Sequence, residues 1–308
     1  MGTRKRGVVI VAAAICLILC LWPAPSTAQY LSSSDVLGAE PVEPDFVLAY
    51  GADPEQFGHL YLPEGPGPHP VLVAIHGGCW LSFADLEHLG RFSAAFADAG
   101  IAVWSIEYRR VDSPGGGWPN TFLDVGSGID FLRSVEPEYR LDLTRVVVVG
   151  HSAGGHLALW AAARPKIAQE SVLHSGAPLS ITAAVSLAGP GQLAQLRDTD
   201  NEVCGGDVKD QLQAGSQEEE PGHYAAGVPG RMLPLRVSQR LITGVGDSAI
   251  TPQFAEAYAT AAKEAGDDVL ALTLDRAGHF ETIVPGTEVW PEVQSEILEL
   301  FEVREQEH

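Results

Sequence analysis

The sequence predicts a single α/β domain with a mostly parallel central sheet and helices on both of its faces. Short runs of β-branched residues alternate with Ala- and Leu-rich segments along the chain, the order expected when a helix follows each strand. The run Val146–Val149 is apolar at every position, as strands covered on both faces are. The 308 residues suffice for one such domain with a large core, and no second domain is required.

Residues 1–28 have the pattern of a secretory signal peptide. Basic residues at 4–6 precede an apolar run over 7–22, and small residues occupy 26–28. The apolar run is shorter than the roughly 20 residues of a membrane-spanning helix, so we expect cleavage rather than an anchor. The mature domain is then residues 29–308, and we expect it to be secreted or periplasmic.

The composition limits the classes of molecule that we expect this protein to bind. The formal net charge is −21 for the whole chain, and it becomes −24 after cleavage because residues 1–28 carry three basic and no acidic side chains. Nucleic acid and anionic membrane surfaces are therefore poor partners, and we expect no stable membrane association of the mature domain. The chain lacks the ligand clusters of cysteine-bound zinc, and we expect neither a metal nor a cofactor.

Two cysteines, Cys79 and Cys204, remain in the mature domain. An oxidising compartment permits a disulfide between them, but the distance that decides the pairing does not follow from the sequence, so the pairing stays open.

Turn residues delimit the elements of the first half. A loose start covers 29–43. Pro63 ends a pair of short antiparallel strands, the Gly- and Pro-rich turn at 65–68 leads into a buried strand, and Gly100 stops a helix. These signals predict strands at Phe46–Tyr50, Phe57–Leu62, Val71–Ile75 and Ile101–Tyr108, and helices at Ser82–Ala99 and Asn120–Ser134.

In the second half the alternation of strands and helices is interrupted once. Residues 189–234 are polar, glycine-rich and acidic, and a segment of this length without regular elements is usually functional or disordered, so it is a possible lid. Around it, the apolar patterns predict strands at Val146–Val149, Thr182–Leu187, Leu241–Val245 and Val269–Leu274, and helices at 153–164, Pro252–Ala265 and Trp290–Glu302.

The turn after strand Val146–Val149 is the most informative segment. Its residues, Gly150-His-Ser152-Ala-Gly154, fit the G-x-S-x-G pattern of a nucleophile elbow. In that motif a sharp turn between a strand and a helix presents the serine hydroxyl above the sheet, and glycines stand where a Cβ has no room. We therefore expect Ser152 to be a catalytic nucleophile.

A serine nucleophile requires a base and a carboxylate to orient that base. Of the histidines that follow Ser152, only His279 comes directly after a predicted strand, at the sheet edge where ligands of open α/β sheets bind. Asp247 has the corresponding position after the preceding strand, so we assign it as the acid. The sequence leaves open that Asp247 merely caps the next helix. The other histidines after Ser152 are His156, His174, His223 and His308, and the alternative acids are Asp267, Asp268 and Asp275.

When a serine attacks a carbonyl, negative charge develops on the carbonyl oxygen, and this oxyanion needs hydrogen-bond donors in fixed positions. The main-chain N–H of Ala153, directly after the nucleophile, is one candidate. The loop after strand Val71–Ile75 supplies others at Gly77 and Gly78, where the absence of a side chain lets the backbone approach a substrate.

Together these motifs resemble the α/β-hydrolase superfamily over nearly all of the mature chain. The narrower resemblance is to bacterial single-domain carboxylesterases, including feruloyl-esterase-like and arylformamidase-like enzymes; Cys79, where arylformamidases commonly have an aromatic residue, departs from the latter. The motifs that carry it are His76-Gly-Gly-Cys-Trp80, Tyr108-Arg109, Gly117-Trp-Pro119, Gly150-His-Ser-Ala-Gly-Gly-His156, Gly246-Asp247 and Gly278-His279-Phe280.

The resemblance implies the chemistry. Ser152 would attack the carbonyl of a small-molecule ester, His279 would carry the proton, and Asp247 would hold His279. Trp80 and Phe83 would line the acyl pocket and Trp118 the alcohol side, although plain core packing is the alternative for each. Two other functions stay open: an amide hydrolase such as an arylformamidase or a peptidase, and a non-catalytic binding module on the same fold.

Overall fold

The computed structural model describes residue 2, residues 30–198, residue 204 and residues 207–302. Apart from Gly2, the predicted signal peptide lies outside the described residues.

The described residues form one eight-stranded sheet with the order β1-β2-β4-β3-β5-β6-β7-β8. β2 pairs antiparallel with both β1 and β4, and every other pair is parallel, so β2 alone runs against the rest. The predicted mostly parallel sheet is therefore confirmed. The strands are β1 (Phe46–Ala49), β2 (Phe57–Tyr61), β3 (His69–Ile75), β4 (Ala102–Ile106), β5 (Leu141–His151), β6 (Ala183–Leu187), β7 (Ser238–Gly244) and β8 (Val269–Leu274).

Helices connect the strands, as in other α/β folds. Short 3₁₀ segments at Leu86–Leu89, Arg164–Lys166, Leu193–Asp198, Pro229–Arg231 and Glu281–Ile283 supplement them. The described helices are α1 (Ser33–Leu37), α2 (Gly90–Asp98), α3 (Asn120–Asp130), α4 (Leu132–Tyr139), α5 (Ala153–Ala163), α6 (Val208–Leu212), α7 (Pro221–Gly227), α8 (Pro252–Glu264) and α9 (Trp290–Glu302). None of them combines the length and the apolar character that crossing a membrane requires.

The core lies in two layers, one on each face of the sheet. Alternation along β5 shows the division: Val146 and Val148 pack in one layer, and Val147 and Val149 in the other. Helices α3, α5 and α8 cover the first face, while α2 and α9 cover the second. This arrangement explains why the predicted central strand carries apolar residues at consecutive positions.

Two predicted helices have different bounds in the structure. The predicted helix at Ser82–Ala99 is a turn, a 3₁₀ segment and then α2, because Asp85 caps the 3₁₀ segment by accepting a hydrogen bond from Glu87 N at 3.0 Å. The predicted helix at Asn120–Ser134 is divided at Phe131 into α3 and α4.

The segment 189–234 contains more regular structure than expected. Its described part forms α6, α7 and two 3₁₀ segments, and buried side chains from it join the core layer over α5. Trp160 of α5 donates a hydrogen bond from Nε1 to the carbonyl of Ala226 at 2.9 Å, which ties the segment to the domain. The prediction that it acts as a lid stays a prediction.

Candidate active site

Ser152 lies at the turn between β5 and α5. Its backbone has φ 53° and ψ −118°, a conformation that non-glycine residues rarely adopt and that is concentrated at functional sites. Neighbouring backbones leave no room for side chains at the flanking glycines: a Cβ on Gly150 would lie 2.0 Å from Gly154 O, and one on Gly154 would lie 2.0 Å from Ile75 O. The elbow thus has the tight turn that its sequence predicts.

His279 and Asp247 lie together in the loops that follow β8 and β7. The Nδ1 atom of His279 is 2.8 Å from Oδ2 of Asp247, and because a carboxylate only accepts, Nδ1 carries the hydrogen and Nε2 is left as an acceptor. The Asp247 side chain is fully buried, and its Oδ1 accepts hydrogen bonds from the main-chain N–H groups of Ala249 and Ile250 at 2.8 Å each. These contacts fix both the carboxylate and the tautomer of the histidine.

The loop after β3 packs its main chain against the elbow. A Cβ on Gly77 would lie 3.2 Å from the Cβ of Ser152, so no side chain separates the two segments. Gly78, Cys79 and Trp80 follow with positive φ values of 101°, 55° and 56°. Ala153 is the first residue of α5, where the N–H groups have no partner within the helix. The predicted donors at Gly77, Gly78 and Ala153 are thus all beside Ser152.

A buried contact between His76 and Glu107 supports this loop from behind. His76 Nε2 lies 2.9 Å from Glu107 Oε1, and His76 Nδ1 lies 2.8 Å from the carbonyl oxygen of Gly77. Burial acts to raise the pKa of Glu107, but the attraction of His76 and Arg110 and the hydrogen bonds from His76 and the Tyr108 N–H hold it below its ordinary value. Sequence reasoning did not single out Glu107; the signal was an acidic residue at the end of an apolar strand.

Two more histidines, His151 of the elbow and His88, connect the elbow with its surroundings. His151 Nε2 donates to the carbonyl of His279 at 2.8 Å, so its Nδ1 accepts from His88 Nε2 at 2.9 Å. Burial, with repulsion from neighbouring histidines, lowers the pKa of His88 to about 3 and that of His151 well below its ordinary value. Both rings are therefore neutral at neutral pH, and they link the elbow directly to the loop that carries His279. Sequence reasoning missed this role of His151 and His88.

Ser152 and His279 line one pocket with a volume of about 460 Å³. Phe83 belongs to its lining and is 59% exposed, so the structure places this predicted substrate-binding residue at the pocket. The described lining residues are Tyr30, Leu31, Ser33, Leu37, Gly78, Cys79, Phe83, His88, His151, Ser152, Gly246, Ser248, Ala249, Gly278, His279 and Phe280.

The two predicted tryptophans lie outside this lining. Trp80 is 2% exposed and packs edge-on against His156 in the core, with ring centroids 5.5 Å apart. Trp118 stacks on His223 at 4.1 Å and lines a separate cavity of about 690 Å³. Trp80 is thus part of the core, whereas Trp118 is half-buried at a different cavity, and neither side chain lines the pocket of Ser152.

Cys79 and Cys204 form a disulfide with a Cα–Cα distance of 5.5 Å, which settles the pairing that the sequence left open. The bond joins the loop after β3 to the segment 189–234. Across the described ranges, no three His, Cys, Asp or Glu side chains are grouped so that they could hold a metal ion.

Comparison with known proteins identifies the family. The profile of the BD-FAE family matches residues 59–229, which is more than half of the chain. The chain belongs to the BD-FAE family. The match begins in β2 and includes the elbow, whereas His279 and Asp247 lie beyond its end.

Curated relatives match over shorter stretches. A probable isoprenylcysteine alpha-carbonyl methylesterase of Arabidopsis thaliana is 34% identical over 36% of this chain and 23% of its own length. Esterase LipC of Mycobacterium tuberculosis is 30% identical over 46% of this chain and 36% of its own length. The chain thus matches about a quarter to a third of the length of these relatives.

Solved structures match nearly the whole domain. Esterase B from Lactobacillus rhamnosis has a TM-score of 0.74 at 22% identity, covering 88% of this chain and 89% of its own. A thermophilic esterase from the Planctomycetes species Thermogutta terrifontis has a TM-score of 0.66 at 20% identity, covering 84% and 92%. At sequence identities of 20–22%, the similarity to these structures concerns the fold alone. This BD-FAE member has the fold of the α/β-hydrolases.

Proposed function

We propose that this protein is a secreted serine carboxylesterase that cleaves small-molecule esters through an acyl-enzyme intermediate. Ser152 is the nucleophile, His279 the general base and Asp247 the carboxylate that orients it. One observation carries the proposal: the elbow serine and His279 line the same pocket, and the buried Asp247 lies behind His279 at hydrogen-bond distance from its Nδ1. Such a constellation is recognised by its geometry and roles rather than by its positions in a sequence.

In the first half-reaction, Ser152 Oγ attacks the ester carbonyl while His279 Nε2 takes the hydroxyl proton. Asp247 stabilises the imidazolium that forms. The oxyanion accepts hydrogen bonds from the main-chain N–H groups of Ala153 and of the loop at Gly77 and Gly78. The bond from the former carbonyl carbon to the alcohol oxygen then breaks, and the imidazolium protonates the leaving alcohol.

The second half-reaction repeats these steps with water. His279 takes a proton from the water as it attacks the acyl-enzyme, and the same donors hold the second oxyanion. Collapse of this intermediate breaks the bond to Ser152 Oγ, which recovers its proton from the imidazolium. The acid product leaves, and the starting protonation states are restored.

The relatives support an ester rather than another acyl derivative. One curated relative is a probable methylesterase and another an esterase, and two solved structures of the same fold are of esterases. For location, the Cys79–Cys204 disulfide favours an oxidising compartment outside the cytoplasm, in agreement with the predicted signal peptide.

A comparison of substrates tests the proposal. We expect the mature protein to hydrolyse short p-nitrophenyl or feruloyl esters with a kcat/KM well above that for N-formylkynurenine, and the Ser152→Ala variant to lose this activity. Preference for N-formylkynurenine would instead identify an amide hydrolase. Absence of turnover on all of these substrates by the folded protein would contradict the esterase proposal and favour a binding module.

A further inference from the structure

The first described residues of the mature domain cross the candidate active site. We name residues 30–37 the N-terminal arm. Tyr30, Leu31, Ser33 and Leu37 line the same pocket as Ser152, although the sequence predicted only a loose start there. The arm therefore supplies a wall of the pocket from a part of the chain that precedes the family match at residue 59.

A buried carboxylate holds the arm next to the proposed base. Glu281, which is 6% exposed, accepts a hydrogen bond from Leu31 N on Oε1 at 2.5 Å and one from Gly278 N on Oε2 at 2.7 Å. One side chain thus joins the arm to the residue that directly precedes His279. A charged acceptor makes stronger hydrogen bonds than a neutral one, so the arm is fixed relative to the catalytic loop.

Two glycines make room for the arm. A Cβ on Gly246 would lie 2.1 Å from Cε2 of Tyr30, and a Cβ on Gly278 would lie 2.8 Å from Tyr30 Cβ. These glycines directly precede Asp247 and His279 in the chain. The ring of Tyr30 therefore occupies a recess formed by the two loops that carry the proposed acid and base.

The arm also determines the chemistry of the pocket. It contributes Tyr30, Leu31 and Leu37, while Phe83 and Phe280 add further apolar surface. Among the described lining residues there is no Asp, Glu, Lys or Arg, and buried His88 and His151 have lowered pKa values. Away from His279, an ionised group in such a pocket would lose hydration without gaining a side chain of opposite charge.

We propose that the N-terminal arm is the specificity wall of this site and selects uncharged esters whose apolar group packs against Tyr30, Leu31 and Leu37. The inference rests on the proposed esterase function and adds the substrate class to it. The arm contacts the part of the ester away from the reacting carbonyl, so it acts on selectivity and leaves the chemical steps to Ser152, His279 and Asp247.

A gain-of-function variant tests the arm. The members of each of two substrate pairs differ by one carboxylate: p-nitrophenyl hexanoate against mono-p-nitrophenyl adipate on the acyl side, and phenyl acetate against 3-carboxyphenyl acetate on the alcohol side. One of the two pairs places its variable group, hydrogen or methyl against carboxylate, next to the arm. For that pair we expect the parent to have the higher kcat/KM on the neutral ester, and Leu37→Arg to reduce the ratio of neutral to charged ester about tenfold. Leu270→Arg is the matched control, because Leu37 and Leu270 are 38% and 39% exposed and Leu270 lies on β8 outside the pocket lining.

A second variant removes apolar contact without adding charge. We expect Leu37→Ser to lower kcat/KM for p-nitrophenyl hexanoate or phenyl acetate by ~fourfold, the equivalent of about one methylene group left in water. The control Leu270→Ser, which changes a residue outside the pocket lining, should keep the parental kcat/KM on both esters. If both Leu37 variants keep the parent's preference for the neutral ester on both substrate pairs, the proposed role of the arm is overturned. A parent that hydrolyses none of these esters would instead overturn the proposed function.

Discussion

The Asp247→Asn substitution tests the proposed triad through the tautomer of His279. In the structure, Oδ1 of Asp247 accepts two main-chain hydrogen bonds at 2.8 Å, and Oδ2 accepts the one from His279 Nδ1. An asparagine has one oxygen, and the two main-chain donors bind it at the Oδ1 position. Its NH₂ group then faces His279 Nδ1, which has to give up its hydrogen and become an acceptor.

The hydrogen consequently moves to Nε2, and the imidazole can no longer accept the proton of Ser152. We expect kcat to fall on the order of 10⁴-fold, as it does when the correct tautomer is lost in an established Ser-His-Asp enzyme. That loss corresponds to about 5 kcal/mol of transition-state stabilisation. KM and the free energy of unfolding should change little, because the amide keeps the two main-chain hydrogen bonds and the shape of the side chain.

Initial rates of p-nitrophenyl acetate hydrolysis measure this effect. The matched control is Asp275→Asn, since Asp275 is exposed and follows β8 in the segment that leads to His279. We expect this control to retain parental kcat. A loss of less than tenfold for Asp247→Asn, or a larger loss for Asp275→Asn, would refute the assignment of Asp247 as the orienting carboxylate.

Three further predictions concern the parts that hold the site together. We expect His151→Leu to lower kcat about tenfold with little change in KM, because the carbonyl of His279 loses its hydrogen-bond donor. The variant His151→Gln keeps a donor, and we expect it to recover most of the lost kcat. Equal losses of kcat in the two variants would contradict a positioning role of His151. In urea denaturation, Gly154→Ala should lower the free energy of unfolding by ~3 kcal/mol or more, because the new Cβ would lie 2.0 Å from a backbone oxygen, and this clash outweighs the usual gain of about 1 kcal/mol from Gly→Ala in a helix. The control Gly176→Ala, whose Cβ would have nothing within 4 Å, should change the free energy of unfolding by no more than about 0.5 kcal/mol. Equal stabilities of the two variants would contradict the tight packing at Gly154. Reduction of Cys79–Cys204 should lower the free energy of unfolding by about 2–4 kcal/mol, measured with and without dithiothreitol, and an unchanged value would contradict a stabilising role.

The sequence predicts most of the fold because its core elements are strongly patterned. β8 and α9 occupy the predicted residues, and the other predicted strands occur with shifted ends. β5 begins earlier than expected, at Leu141, since the polar stretch before Val146 continues the pairing with β3 across an irregularity at Pro70 and Val71. Hydrophobic patterning is informative at the centre of a strand and weak at its ends.

The sequence predicts only some of the groups that lie closest to Ser152. The pairing of His279 with Asp247 follows from the order of the strands, because loops after neighbouring parallel strands meet at one edge of the sheet. The N-terminal arm does not follow, since its position depends on Glu281, which is 250 residues from Leu31 in sequence. The contact of His151 with His279 spans 128 residues. Contacts of this kind have no local signature in composition or periodicity.

Covalent labelling tests the central claim most directly. A fluorophosphonate that enters the pocket should react with the activated hydroxyl of Ser152, and peptide mapping by mass spectrometry should place one adduct on this residue. We expect Ser152→Ala to give no adduct while keeping its fold, and Asp247→Asn to react far more slowly than the parent. Labelling of Ser152→Ala to the same extent as the parent, or an adduct on another residue, would contradict the account of this site.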